Sequence, residues 1–209
     1  MSSALDTIYL NLAFEDALSE AVLRRLLRAS GRPFEVRYRY TGGGSGYLKR
    51  HLRAFNSAAR VTPYLVLADL DQVECAPRLV YDWLTVPLHP NLLFRVAVRE
   101  VESWLIADRA SLARFLGIQV DLIPQSFDDT ADPKAALLRL VRFSRHSELR
   151  SDLLPREGST SRQGPNYNAR MSRYVEKHWD PEVAARYSPS LARTVAAIKD
   201  FAPVSEGVS

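Results

Sequence analysis

Hydrophobic positions along this chain recur with two periods. Four runs read as strands: Ile8–Phe14, apolar apart from Asn11, Phe34–Tyr40, the run from Tyr64 to Asp71, and Leu92–Val98. Three of these are near-continuous, as expected of strands buried on both faces of a parallel sheet. Phe34–Tyr40 instead alternates Phe, Val, Tyr and Tyr with Glu35, Arg37 and Arg39, so one face is polar and the strand belongs nearer an edge. The intervening segments have helical spacing. Ala17–Ala29 repeats Leu18, Val22, Leu26 and Ala29, and the stretch opened by Thr41–Tyr47 carries Lys49, Arg50, His51 and Arg53. A short helix near Arg78–Leu84 ends before Pro87, and Ser103–Leu116 continues as one helix with Trp104, Leu105, Leu112 and Phe115. Strand and helix in alternation predict an α/β fold, a mostly parallel sheet flanked by helices.

Beyond Gly117 the pattern changes, which divides the chain into an α/β core of residues 1–117 and a helical C-terminal extension, 118–209, packed on it. Gln119–Asp132 is loop-like and contains Asp128, Asp129 and Asp132. Asp132 is placed to cap a helix that Pro133 opens and that runs to about Arg145. Leu154–Asn168, with Pro155, Gly158, Gly164 and Pro165, is the strongest loop candidate. Two or three short helices finish the chain. Ser188 caps the last, Pro189 opens it, and Leu191, Val195 and Ile198 form its buried stripe. Residues after Pro203 read as frayed, and there is no internal repeat.

Composition narrows the setting. The chain has 209 residues and 46% hydrophobic content, enough for a real core. No apolar run approaches the roughly 20 residues of a membrane span. Asp6 comes too early, and Ile8–Phe14 is too short, for a secretory leader. The single cysteine, Cys75, excludes an internal disulfide and has no Cys or His at zinc-ligand spacing. It reads as a small buried residue in a protein of the reducing cytoplasm. The net charge is +4, and of the 28 basic residues only Lys49, Lys134, Lys177 and Lys199 are lysine. Arginine's planar fork suits phosphate, although coding bias produces the same skew.

The candidate chemistry is acidic and falls where strands end. Asp69 and Asp71 are two apart, which in a strand puts both carboxylates on one face. Ligands of open α/β sheets bind at the carboxyl ends of strands. Converging carboxylates repel unless a hard cation such as magnesium or manganese sits between them. Their plainer reading is a loop start or a helix cap. Glu15 and Asp16 follow the first strand, and there Glu15 is assigned to the site and Asp16 to the helix that follows. Glu100 and Glu102 follow Leu92–Val98, as ligands or as the acidic first turn of a helix. Lys134 lies in a first turn, where the helix dipole disfavours a cation, so it is either a plain surface lysine or one with a phosphate or a site carboxylate as partner. Lys49, Arg50 and Arg53 on one helix, and Arg156 and Arg162 beside Tyr167 and Asn168 in the loop, are candidates to hold a nucleic-acid backbone. Gly42–Gly46 is neither a Walker loop nor a dinucleotide fingerprint. It is either a mobile connection or a loop that holds a phosphate by its backbone.

A strand ending in Glu, a later strand ending in Asp-x-Asp, and alternating helices together resemble the Toprim domain of primases, type II topoisomerases and the overcoming-lysogenization-defect nucleases. More closely, the chain is similar to a bacterial Toprim-like family of unknown function. The likeness rests on Glu15-Asp16, Leu67–Asp71 and Arg99–Asp108, and is extended by Asp132-Pro133-Lys134, Gly164–Asn168 and Ser188–Leu191. It implies acid/base or metal-binding work for Glu15 and magnesium on Asp69 and Asp71. The nuclease branch adds Glu100 or Glu102 as ligands and Lys134 as a stabiliser of transition-state charge. The glycine that usually follows the motif glutamate is Asp16 here. The implied activity is Mg2+- or Mn2+-dependent phosphodiester cleavage of DNA or RNA, in repair or phage defence, with nucleic acid and a partner protein such as an ATPase as partners. A non-catalytic module that uses the same scaffold to bind nucleic acid or protein is the alternative. Hydrolysis or transfer on a free nucleotide is a third, resting on Gly42–Gly46 alone.

Overall fold

A computed structural model describes residues 6–125 and 130–204. Asp128, Asp129 and the chain beyond Val204 lie outside the described residues. The first half runs β1 (Ile8–Ala13), α1 (Ala17–Ala29), β2 (Phe34–Tyr40), α2 (Ser45–Ala58), β3 (Tyr64–Asp69), α3 (Ala76–Trp83) and β4 (Leu92–Ala97). The strands form one parallel sheet in the order β2-β1-β3-β4, so the fold is α/β, as the alternating periods predict. From β1 the chain steps outward to β2, then crosses back over β1 to β3 and β4. Right-handed crossovers in opposite directions put their helices on opposite faces. Accordingly α1 packs with Leu10, Leu12, Leu65 and Leu67 on one face, while α2 and α3 pack with Ala13, Val66 and Ala68 on the other. The reversal lies between β1 and β3, and in open α/β sheets the carboxyl ends of the strands at such a reversal are where ligands bind.

β2 is an edge strand, as its polar face requires, yet its alternation is broken. Leu10 pairs with Val36, but Leu12 pairs with Arg39, so Arg37 and Tyr38 together face Asn11. An extra residue in one strand turns everything after it to the other face. Phe34 and Val36 therefore join the α1 side and Tyr40 the α2 side, although all three fall on one sequence period. Asn11, the lone polar residue of β1, is buried and accepts the Tyr38 N–H with Oδ1 at 3.2 Å, satisfying the bulged backbone.

The second half is helical: α4 (Val101–Ala107), α5 (Arg109–Leu116), a 3-10 turn at Val120–Leu122, α6 (Pro133–Arg142), α7 (Ser147–Leu153), α8 (Tyr167–Lys177), α9 (Pro181–Ala185) and α10 (Pro189–Lys199). Every residue of α4 is buried, so this helix is enclosed by its neighbours and not laid on a surface. Its enclosure leaves few polar atoms unpaired. Trp104 Nε1 donates to Ser190 Oγ at 2.8 Å, Trp179 Nε1 to Trp104 O at 3.1 Å, and Ser111 Oγ to His178 O at 2.6 Å. One hydrophobic cluster runs from Leu10 through Trp104 and Trp179 to Ile198, so the C-terminal helices share their core with one face of the sheet. Among the described residues no helix is long and apolar enough to cross a membrane.

Several sequence expectations are corrected. Ser103–Leu116 is two helices, not one, broken at Asp108. That buried carboxylate accepts the Ser111 N–H at 3.2 Å as the cap of α5 and the Asp180 N–H at 3.0 Å from across the chain. Replacing Asp108 by Ala strands two buried donors and is expected to cost about 2 kcal/mol in denaturant unfolding. The loop over Leu154–Asn168 ends at Asn166, because Tyr167 and Asn168 open α8. α6 stops at Arg142, and α7 occupies a stretch to which the sequence pattern assigns no element. Ser188 holds the cap position of α10 without making a capping bond. Its hydroxyl instead lies 3.4 Å from that of Ser190. Cys75 is exposed, at the start of α3, where its extended backbone faces the side chain outward.

Candidate functional site

The switch point between β1 and β3 gathers the acidic residues. Glu15 lies two residues past β1, and its Oε1 accepts the N–H of Asp69, the last residue of β3, at 3.1 Å. Asp69 in turn accepts the Val101 N–H at 2.9 Å with Oδ1, taking one of the free donors at the start of α4. Neighbouring Asp16 caps α1 through the Ser19 N–H at 2.9 Å, the helical duty assigned to it from the sequence. The strand geometry that would align Asp69 with Asp71 stops at Asp69. Asp71 has a φ of 50°, with its N–H donated to Arg99 O at 2.8 Å and its carbonyl accepting from Arg99 Nη1 at 3.0 Å. Arg99 also has a positive φ, 63°, so two non-glycine residues in the left-handed region face each other beside the switch point. Such conformations are held at a cost of about 1 kcal/mol or more and cluster at functional sites.

The third acidic pair is divided. Glu100 Oε2 accepts the Lys134 N–H at 2.8 Å, so it reaches across to the start of α6. Glu102 is 1% exposed and uses Oε1 twice, accepting from the Tyr167 hydroxyl at 2.9 Å and facing Lys134 Nζ at 3.3 Å. The misplaced lysine thus has site carboxylates as its partners, and its Nζ also lies 5.7 Å from the Tyr167 ring centre. Burial works against the ammonium form of Lys134, but Glu102 and Glu100 outweigh it and hold its pKa above the ordinary value. Tyr167 is the site residue that the sequence misplaces. It stands in a Gly-Pro-Asn-Tyr-Asn stretch resembling a surface loop, and only its aromatic ring hinted at burial.

Negative charge exceeds positive at this edge. Burial raises the Glu15 carboxyl from 4.5 to about 7, helped by Asp71 and Asp16, against the opposing pull of the Asp69 N–H and Lys134. Asp69 stands well above the usual carboxylate range, through burial first and then the charges of Glu102, Glu15 and Asp71. Glu102 is raised by burial, with Lys134 opposing. Each of these groups binds its proton more tightly folded than unfolded. Their stabilisation is therefore complete below the ordinary carboxylate pKa and is lost as pH rises, for Glu15 through about 7. In chelator-treated protein, thermal denaturation is expected to show a stability loss between about pH 5 and pH 8. Solvent screening of partly buried Glu15 limits its share to about 1–2 kcal/mol.

Among the described residues no group of three or more His, Cys, Asp and Glu side chains is arranged to hold a metal ion. The donors at the switch point are nonetheless all oxygen and anionic, which matches magnesium or manganese and not zinc. Magnesium commonly takes one or two protein carboxylates and completes its shell with water and phosphate. On that chemistry the residues fit.

The basic candidates lie on two segments that touch this edge through Gly44 and Arg162, whereas Arg53 lines a cavity with Pro87, Leu88 and His89, before β4. Lys49, Arg50 and Arg53 are exposed on α2, whose cap residue Gly44 donates its N–H to Glu15 O at 3.4 Å. Gly43 and Gly44 have φ of 80° and 89°, a conformation that glycine adopts without strain, so the loop is shaped to bring α2 beside Glu15. Arg156 and Arg162 are exposed between α7 and α8. Arg162 is paired with Asp132, which caps α6 through the Ala135 N–H at 2.8 Å, two residues before Lys134. Compared with protein-family models, curated proteins and solved structures, the chain matches none.

Proposed function

We propose that this chain is a magnesium- or manganese-dependent phosphodiester-cleaving enzyme on a Toprim-like scaffold, a nuclease acting on DNA or RNA. The observation that carries the reading is the meeting of Glu15 and Asp69 at the β1/β3 switch point, where burial first, and the neighbouring charges of Asp71 and Asp16 after it, bring the Glu15 carboxyl to about 7. Such a site favours a bound cation, and its ligand-binding position is the one open α/β sheets use. Asp69 and Asp71 would hold the ion, with Glu100 and Glu102 as the further carboxylates of the edge. A bound divalent ion supplies charge neutralisation at a phosphate and a hydroxide at neutral pH. Glu15, titrating near neutrality, would exchange a proton with the attacking water or the leaving oxygen. Lys134, kept charged by Glu102 and Glu100, would face the phosphate. Lys49, Arg50, Arg53, Arg156 and Arg162 would hold the backbone and set register without reading sequence.

One observation favours the rival reading, a module that binds nucleic acid or protein without cleaving it. Asp69 and Glu100 each already serve a helix start, and Glu102 anchors Tyr167. Isothermal titration of magnesium and manganese into the wild type and Asp69→Asn/Asp71→Asn separates the two. Heat in the wild type that the variant loses supports the enzyme. Heat in neither overturns the metal site and leaves the module.

A further inference from the structure

The sheet has a second open feature, remote in kind from the acidic edge. Among the described residues β4 pairs only with β3, and its outer side is unpaired. Asn91 and Ala97 turn their carbonyls toward β3, accepting from Tyr64 N and Leu70 N at 2.9 Å each. Strand alternation then turns the N–H and C=O groups of Phe94 and Val96 outward. Among the described residues these groups make no backbone hydrogen bond outside the sheet. Beside them, α3 and α10 flank a cavity of about 700 Å³ whose walls include Val80, Leu84, Phe94 and Val96. Its lips carry Tyr81, 71% exposed, and Leu88, 40% exposed.

Among the described residues the charged side chains that line this groove are all basic. Arg95 and Arg193 both line it, and no carboxylate among the described residues forms an ion pair with either. Arg95 is half-buried, and its guanidinium makes one long bond, Nε to Thr194 Oγ1 at 3.4 Å. Two guanidiniums in an apolar groove leave strong donors for a carboxylate. A second copy of this chain docked edge to edge would instead bring four arginines together, which like-charge repulsion opposes.

We propose that the open edge of β4 takes an extended segment of a partner protein as a fifth strand, alternating apolar side chains in the groove with acidic ones against Arg95 and Arg193. Main-chain bonds to Phe94 and Val96 supply affinity, and the groove and arginines supply selectivity. The proposal is independent of the nuclease reading.

The test is selection of a random-peptide display library on the intact chain, followed by binding and hydrogen-exchange measurements on the enriched peptides. Alternating apolar and acidic peptides are expected. Their affinity should fall about tenfold or more in Arg193→Glu, a change at an exposed helix position that leaves the fold intact. Amide exchange at Phe94 and Val96 should slow in the complex. Val96→Pro, which removes one edge donor, should abolish binding if it folds, but Arg193→Glu decides the matter without it. No enriched peptide, peptides indifferent to Arg193→Glu, or unprotected amides at Phe94 and Val96 would overturn the proposal. Displacement of a dimer by the peptides would also overturn it, because the occupant would then be a second copy.

Discussion

On the proposed function, Asp69→Asn/Asp71→Asn is expected to lose metal-dependent cleavage of DNA or RNA by roughly a thousandfold or more, about 4 kcal/mol of transition-state stabilisation. The variant should still fold. An asparagine at Asp69 keeps the Oδ1 acceptor for the Val101 N–H, and Asp71 is exposed, so neither change strands a buried donor. Removing the Asp71 charge should bring the Glu15 carboxyl down and leave metal-free protein at least as stable as the wild type at pH 8. The measurement is release of acid-soluble nucleotide in magnesium and manganese buffers, beside a thermal melt of the same samples. Cleavage that survives in a folded variant would sink the assignment of these two residues.

Lys134→Met is expected to give the largest loss of stability of any single change at the site. It removes the counter-charge of Glu102, a carboxylate 1% exposed whose other contact is the Tyr167 hydroxyl. Leaving half of a buried ion pair costs about 3 kcal/mol. Because Glu102 is already raised by burial, it can escape by taking a proton, so the loss should be greater at pH 8 than at pH 5. Adding Glu102→Gln should recover most of it, since glutamine still accepts from Tyr167 and carries no charge. Denaturant unfolding of the two singles and the double at both pH values measures the coupling. Equal losses at the two pH values, or a double no better than Lys134→Met, would mean that Lys134 supports the fold by packing alone.

Local pattern made the strands legible. Three near-continuous apolar runs, two of them broken by a single polar residue, and one alternating run placed all four strands, and the alternating one went to an edge because its polar face needs water. α1 matches its expected bounds because Leu18, Val22 and Leu26 repeat on one side and Asp16 caps it locally. What escaped depends on partners far away in the chain. The break at Asp108 answers to Asp180, 72 positions on, and the work of Glu100 and Glu102 answers to Lys134 and Tyr167. α7 has only seven residues, and its buried Leu149 and Leu153 are too few to register as a period. The turn at Asp71 is likewise unreadable locally, because the Arg99 backbone that receives it comes 28 residues later. For the site, the types of residue and their strand ends were legible. Which carboxylate meets which donor was not.

The way α1 is covered has a consequence for synthesis. Its apolar stripe packs on the sheet from inside and against α8, α9 and α10 from outside, the last helices to be made. At ribosomal rates of about 5–20 residues per second, Leu23, Leu26 and Leu27 emerge on the order of ten seconds before the helices that enclose them. Throughout that interval the nascent chain offers a greasy surface with no native cover. A chain cut short before α8 is therefore expected to keep that surface bare and to aggregate where the whole chain folds.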